Sequence, residues 1–287
     1  MSNYAVVFPA TRNCVDEAKC LVNSLAQTNP DLPVYITTSH LEDRQVTIQD
    51  FIHIPGQNIV KIIVEPPADT EFRQVRTARF RIAAELKSEY AVVGLLDADM
   101  VIIRDITPVM CMAEAGTILV TSNNTLLCYR HRDFVRMQIK SPGEDTKVIM
   151  PTFCTVPFFI NPTIHEEFLM AIWNSDTNPS GNDLESINLL VIAMGLLGSI
   201  YHLPTYAFNN VHHSQIKIET FAKMTDDGLF SHQGEPIYSL HGHWLQEAYV
   251  KELINPMIKN YGHIPKAIDT AKNAINDLCK VFRSYSC

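Results

Sequence analysis

The hydrophobic positions of this chain change their period several times. Short segments rich in apolar and β-branched residues, which we interpret as strand candidates, occur at 4–8, 34–37, 53–54, 61–64 and 91–96. Between them, residues 15–27 and 70–86 place apolar side chains three and four positions apart, which predicts helices. Alternating strands and helices favour an α/β fold, with a mostly parallel central sheet flanked by helices on both faces.

The second half of the sequence is less regular. Residues 117–121 and 158–160 have the pattern of strands, and residues 183–194 that of a long buried helix. Apolar residues recur at helical spacing over 267–282, which predicts a C-terminal amphipathic helix. No internal repeat or low-complexity linker divides the chain, so we expect one domain with a C-terminal helical elaboration.

Composition and charge exclude several classes of function. Of the 287 residues, 46% are hydrophobic and 19% are charged, which is ordinary for a globular protein with a large core. The formal net charge of −8 argues against general binding to nucleic acid, because polyanion binding requires a dense basic surface. The longest apolar stretch, residues 187–200, is shorter than the roughly 20 residues of a membrane span. We therefore expect no nucleic-acid partner and no membrane span.

The cysteines indicate a compartment. All 7 are scattered and none forms a Cys-x-x-Cys pair, as is typical of a protein from a reducing environment. The first four residues lack the basic region of a signal peptide and lead directly into a strand candidate. We therefore expect a cytoplasmic protein.

Two carboxylates interrupt the apolar run that begins at Leu95. Asp97 and Asp99 are separated only by Ala98, and Met100 resumes the apolar pattern. Carboxylates beside a buried strand are costly unless a cation or hydrogen bonds compensate them. Where a strand ends, two carboxylates at this spacing can bind one divalent ion, directly or through water. The pair therefore predicts a metal site; a turn or helix-capping pair is the alternative.

Short motifs follow one another in order over residues 4–244. The first strand and loop, Val6-Val7-Phe8-Pro9-Ala10-Thr11, are followed by a helix and a second strand, Pro33-Val34-Tyr35-Ile36. The later motifs are Phe80-Arg81-Ile82, Leu95-Leu96-Asp97-Ala98-Asp99, Phe159-Ile160-Asn161-Pro162, Asp183 with Asn188, Leu203-Pro204 through Asn209, and Leu240-His241-Gly242-His243-Trp244. In this order they resemble the A-type, nucleotide-sugar-dependent glycosyltransferases, specifically the glycogenin-like and lipopolysaccharide galactosyltransferase-like enzymes.

The resemblance implies a Rossmann-like GT-A fold over a single catalytic domain, residues 1–287. Residues 1–121 would form its nucleotide-binding half, 122–245 its acceptor-side half and 246–287 a C-terminal helical extension. The implied reaction is transfer of a hexose from a nucleotide diphosphate sugar, with UDP favoured, to a saccharide or another hydroxyl acceptor.

The metal site implied by the resemblance binds Mn²⁺ or Mg²⁺. Asp99 would be a direct ligand, Asp97 would bind the metal or the donor ribose, and His241 would complete the protein ligands. His243 is the alternative to His241. Transfer builds negative charge on the leaving diphosphate, and a divalent cation held by carboxylates neutralises it. Imidazole together with carboxylates suits Mn²⁺ better than Ca²⁺.

The donor is expected to contact the loop after the first strand and basic residues of the second helix. Arg81, which belongs to the family-like element, would reach the diphosphate or the sugar, and Arg76 is a weaker candidate. Arg73 and Arg79 are interpreted as a solvated basic face. The remaining predicted donor contacts are Ala10, Thr11, Asn13, Asp97 and Ala98.

The catalytic residues are predicted near residue 183. Asp183 could hold donor hydroxyls or act as general base, with Glu185 as the alternative base; the competing interpretation is that Asp183 caps its helix. Where retaining relatives carry Asn-Ala-Gly, this chain has Cys154-Thr155-Val156, and Leu184 replaces a glutamine. The sequence therefore leaves retention or inversion of configuration open.

Two other functions compete with sugar transfer. A sugar-phosphate nucleotidyltransferase also uses an α/β sheet and a metal, but it should have a Gly-rich basic loop where this chain has Pro9-Ala10-Thr11-Arg12-Asn13. A non-catalytic, carbohydrate-binding descendant of the fold is the other alternative. The presence of Asp97, Asp99 and His241 together argues against it.

Overall fold

The architecture is taken from a computed structural model of the chain. It describes residues 2–54, 60–65, 71–122, 153–175, 183–204, 207–210, 222–225, 228–231 and 234–241.

A seven-stranded sheet forms the centre of the molecule. Its strands are β1 (Tyr4–Pro9), β2 (Val34–Thr38), β3 (Val60–Val64), β4 (Val92–Leu95), β6 (Ile118–Ser122), β7 (Phe153–Ile160) and β8 (Ile200–Leu203). They lie in the order β3-β2-β1-β4-β7-β6-β8, and β7 alone among them runs antiparallel to its neighbours. The predicted mostly parallel sheet is confirmed.

Helices cover both faces of this sheet. They are α1 (Val15–Thr28), α2 (Glu71–Glu85), α3 (Thr107–Cys111), α4 (Glu166–Asn174) and α5 (Asp183–Ala193). Alternate side chains of β1 enter opposite faces, as expected for a strand buried on both sides: Val6 and Phe8 pack with α1, whereas Ala5 and Val7 pack with α2, α4 and α5. The sheet therefore has a core on each side.

A small second sheet extends the fold beyond the acidic pair. It consists of β5 (Met100–Ile102), β12 (Ser239–His241) and β9 (Phe208–Asn210), with β12 in the middle. β12 pairs antiparallel with β5, and the main-chain N–H of Ile103 continues the pairing by donating to Tyr238 O at 2.8 Å. A separate hairpin is formed by β10 (Ala222–Thr225) and β11 (Gly228–Ser231).

Most predicted elements of the described region are confirmed, and one is wrong. Residues 53–54 are not a strand: they belong to a turn in which Ile54 N donates to Phe51 O at 3.0 Å. Phe51 and Ile54 are buried because this turn packs on the core, so their apolar character reflects burial rather than strand pairing. The helix predicted over 267–282 lies outside the described residues, and the three-part division of the chain stays a prediction. In the described part of the chain, no helix has the length and apolar character needed to cross a membrane.

Candidate active site

The acidic pair lies in a tight turn at the carboxyl end of β4. Leu96 N donates to Val7 O at 3.0 Å, which extends the pairing of β4 with β1. The chain then turns, and Met100 N donates to Asp97 O at 3.1 Å. Since β5 follows immediately, Asp97 and Asp99 lie between the central sheet and the small sheet. Ligands of open α/β sheets bind at this edge.

His241 reaches the acidic pair through strand pairing. It is the last residue of β12 and lies opposite Met100 in the antiparallel register with β5. Its Nε2 lies 3.2 Å from Asp99 Oδ1 and 3.6 Å from Asp97 Oδ2. The two sheets thus bring together the three metal ligands predicted from the sequence.

The three side chains fit one divalent cation. Their ligand atoms all lie within 4.8 Å of one another. Neighbouring ligands of an octahedral cation with bonds of about 2.1 Å are roughly 3 Å apart, close to the His241 distances. Nε2 faces the carboxylates, whereas the buried Nδ1 has no hydrogen-bond partner among the described residues. Two carboxylates and an imidazole suit Mn²⁺ or Mg²⁺, with the nitrogen favouring Mn²⁺.

The charges of the cluster stabilise one another. Burial alone would raise the pKa of Asp97, but the Arg79 guanidinium and the His241 ring outweigh it and hold that pKa below its usual range. Burial would lower the pKa of His241, but the Asp97 and Asp99 carboxylates raise the pKa of His241 to about 9. The metal-free cluster therefore contains an ionised Asp97 beside a protonated imidazole.

Arg79 is the cation that contacts Asp97, and its interpretation as part of a solvated face is wrong. The side chain is 0% exposed. Its Nη1 donates to Leu96 O at 3.1 Å and to Asp97 Oδ1. The reason lies in the helix, where residues at i−4, i+3 and i+4 share the face of residue i. For Arg79 these are Val75, Ile82 and Ala83, which are all buried.

Arg81 lies on a different face of α2 and makes structural contacts. Two residues along a helix correspond to a rotation of about 200°, which turns Arg81 away from Arg79. Its Nη2 lies 2.9 Å from both carboxylate oxygens of Glu65, its Nη1 contacts Glu85, and its guanidinium stacks over Trp173 at 5.5 Å. The structure thus pairs Arg81 with these groups and brings Arg79 to Asp97 instead.

Arg76 shares the face of Arg79, one turn away along α2. It is partly buried, and its charge contributes to the lowered pKa of Asp97. The sequence signal that could have identified Arg79 as a buried residue is that its neighbours at i−4, i+3 and i+4 are apolar. The three-residue spacing of the arginines does not distinguish it.

The loop after β1 lies near the acidic pair. The carboxylate of Asp99 contributes to the raised pKa of Cys14, although burial is its largest cause. Thr11 is partly buried, precedes a short 3-10 helix, and its N–H donates to Cys14 Sγ at 3.3 Å; Asn13 is exposed. The side chains of Ala10 and Ala98 are buried in the core. Neither side chain is therefore available to a ligand, and the main-chain N–H of Ala10 donates to Thr37 O at 2.9 Å.

No protein-family model and no curated relative matches the chain. Among solved structures, the galactosyltransferase LgtC in complex with donor and acceptor sugar analogs is similar, with a TM-score of 0.57 and 12% identity over 93% of this chain and 99% of that protein. An active-site mutant of LgtC aligns with a TM-score of 0.60 and 14% identity, over the same shares of the two chains. Mouse xyloside xylosyltransferase 1 aligns with a TM-score of 0.50 and 12% identity, over 83% of this chain and 97% of that protein.

The chain has the GT-A fold. This confirms the fold expected from the motifs, and the match extends over nearly the whole length of LgtC. In this GT-A fold, the carboxyl edge of the sheet carries the acidic turn, the β1 loop and the arginine face of α2.

Two predicted parts of the site are not described at the level of side chains. Asp183 and Glu185 lie in the first turn of α5, which begins at Asp183, and their side-chain positions are not described. His243, the alternative metal ligand, lies outside the described residues, as does Trp244. Asp183 and Glu185 therefore stay predictions.

Proposed function

We propose that this protein is a metal-dependent glycosyltransferase. It would transfer a hexose from a nucleotide diphosphate sugar, with UDP as the nucleotide, to the hydroxyl group of a saccharide or another acceptor. The observation that carries the proposal is the cluster of Asp97, Asp99 and His241 at the ligand-binding edge of a GT-A fold. A cytoplasmic location is part of the proposal and rests on the scattered cysteines.

Asp97, Asp99 and His241 are the residues that would hold Mn²⁺, or Mg²⁺ in its place. When bound, the cation would neutralise the charge that develops on the departing nucleoside diphosphate. Arg76, one turn from Arg79 on α2, would add positive charge for the phosphate oxygens. Thr11 and Asn13 would contact the nucleoside, with Ala10 and Ala98 as the remaining predicted contacts of the donor.

The acceptor side of the reaction is assigned to the start of α5. Asp183, or Glu185 in its place, would accept the proton of the attacking hydroxyl or hold the hydroxyls of the donor sugar. A carboxylate suits both tasks because it is an acceptor of hydrogen bonds and of protons. The proposal leaves the stereochemical outcome open.

The test is ligand-dependent stabilisation of the full chain. UDP-glucose, UDP-galactose and other nucleotide sugars are screened by thermal denaturation, with Mn²⁺ and with EDTA. A ligand that binds only the folded state at 100 times its Kd adds about 2.7 kcal/mol to the free energy of unfolding. We expect at least one donor to raise the Tm only when Mn²⁺ is present, and Asp99→Asn to abolish that shift.

Asp16→Asn is the matched control for Asp99→Asn. Asp16 lies on α1 with a side chain that is 53% exposed, and its Oδ1 lies 3.9 Å from Lys19 Nζ. The same chemical change there should leave the Mn²⁺-dependent shift intact. If no nucleotide sugar stabilised the wild-type protein with Mn²⁺, the non-catalytic interpretation would replace the proposed function.

A further inference from the structure

The guanidinium of Arg79 bridges the main chain and the side chain of the acidic turn. Nη1 donates to the carbonyl oxygen of Leu96 at 3.1 Å and to Oδ1 of Asp97. The guanidinium also lies over the ring of Phe80, with its central carbon 5.2 Å from the ring centre. Because the Arg79 side chain is fully buried, packing restricts its rotamers.

The two oxygens of the Asp97 carboxylate consequently face different partners. Oδ1 is occupied by Arg79, whereas Oδ2 lies 3.6 Å from His241 Nε2 on the side of the cluster. Rotation of the carboxylate out of this orientation would break the ion pair with a guanidinium that is itself held by Leu96. The contacts thus distinguish one oxygen of Asp97 from the other.

We propose that Arg79 is a positioning residue of the metal centre, which holds Oδ1 of Asp97 and so leaves Oδ2 as the one oxygen of Asp97 that binds the cation. The inference rests on the proposed function, because it requires that the cluster binds a divalent metal. It assigns Arg79 no contact with the metal. Substituting partners that orient metal ligands in this way typically costs about 10- to 100-fold in metal affinity.

The direction in which Mn²⁺ affinity changes when Arg79 is substituted distinguishes a positioning role from simple charge compensation. A guanidinium near a cation site repels the incoming cation, so removing its charge alone should tighten metal binding. Removing an orienting contact should weaken metal binding instead, because Asp97 is then free to turn away. A purely structural role would lower the stability and leave the metal affinity of the folded protein unchanged.

Two substitutions at Arg79 test these alternatives by direct titration of the metal-free protein with Mn²⁺, monitored by electron paramagnetic resonance. Arg79→Lys keeps the charge, but its ammonium stops one bond short of the guanidinium nitrogens. Arg79→Gln removes the charge and is also shorter. We expect both to raise the Kd for Mn²⁺ by about 10- to 100-fold. A Lys variant equal to wild type, or a Gln variant that binds more tightly, would overturn the inference.

Arg104→Lys is the matched control. Arg104 also donates to a main-chain oxygen, Leu229 O at 3.3 Å, and stacks over Phe230 at 4.3 Å. The Arg104→Lys substitution should change the Tm of the metal-free protein, while the Kd for Mn²⁺ stays within about twofold of wild type. Arg79 variants with no change in Kd would assign Arg79 a structural role.

A structure of the wild-type protein with Mn²⁺ tests the inference even where the Arg79 variants fail to fold. We expect Arg79 on Oδ1 and the ion on Oδ2 of Asp97; coordination through Oδ1, or through both oxygens, would contradict this. The titration also separates the two proposals. A wild-type chain that binds no Mn²⁺ refutes the metal dependence and the inference together, whereas Mn²⁺ binding that is insensitive to Arg79 refutes the inference alone.

Discussion

Single residues of the site occupy positions that are unfavourable without their partners. A buried ion costs several kcal/mol unless an opposite charge and hydrogen bonds compensate it. Arg79 and His241 are buried, and each contacts Asp97. The site is therefore a set of charges that stabilise one another at the surface of the core.

We predict that His241→Ala weakens Mn²⁺ binding more than about tenfold, because it removes one of three protein ligands. The measurement is calorimetric titration of the metal-free variant. His165→Ala is the matched control. His165 is also a buried histidine, but its Nε2 contacts Gly116 O at 2.7 Å, outside the cluster. The His165→Ala substitution should lower the Tm and leave the Kd for Mn²⁺ unchanged. Equal Mn²⁺ affinity in wild type and His241→Ala would remove His241 from the metal centre.

The sequence identifies acidic residues of the site more readily than basic ones. Asp97 and Asp99 are conspicuous because carboxylates interrupt an apolar run. Arg79 is one of several arginines in a helix, and a long cationic side chain usually reaches solvent. Its burial depends on which face of α2 lies against β1 and β4, and that is a property of packing rather than of composition.

The hydrophobic period predicts single helices and strands better than it predicts how they are arranged in the fold. The period predicts α1, β1 and β2 within one residue at each end. It does not predict that β7 enters the sheet antiparallel, or that β5 leaves the central sheet to pair with β12. These features depend on contacts between residues far apart in the sequence, which a local pattern does not contain.

The contact between β3 and α2 gives a prediction at this scale. Glu65, just after β3, is 1% exposed, burial raises its pKa, and Arg81 of α2 provides its positive partner. Arg81→Met leaves this carboxylate buried without its cation, so we expect a loss of about 3 kcal/mol in the free energy of unfolding, measured with urea. The Kd for Mn²⁺ should stay at the wild-type value.

The double variant Arg81→Met with Glu65→Leu is the control for this loss. It removes both charges, so it should recover much of the lost stability. If Arg81→Met instead left the stability unchanged and abolished nucleotide-sugar binding, the donor contact predicted from the motif would be right and the structural role wrong.

At the scale of the whole molecule, the candidate metal site joins segments that are far apart in the described chain. Asp97 and Asp99 follow β4, whereas His241 ends β12 far along the sequence. The hydrophobic pattern alone cannot predict that residues so far apart in the sequence lie close together. The family-like order of the motifs supplied that connection, and the pairing of β12 with β5 accounts for it physically.

A ligand that bridges β5 and β12 should stabilise these strands more than the rest of the fold. Local opening of β12 separates His241 from Asp99, so Mn²⁺ that binds the closed state more tightly raises the free energy of that opening. We expect Mn²⁺ to slow amide hydrogen exchange in Ile103 and in residues 239–241, with little change in β2 and β3. Asp99→Asn should abolish the difference. Slowing that is uniform across the chain, or absent from β12, would mean that the metal does not bridge the two sheets.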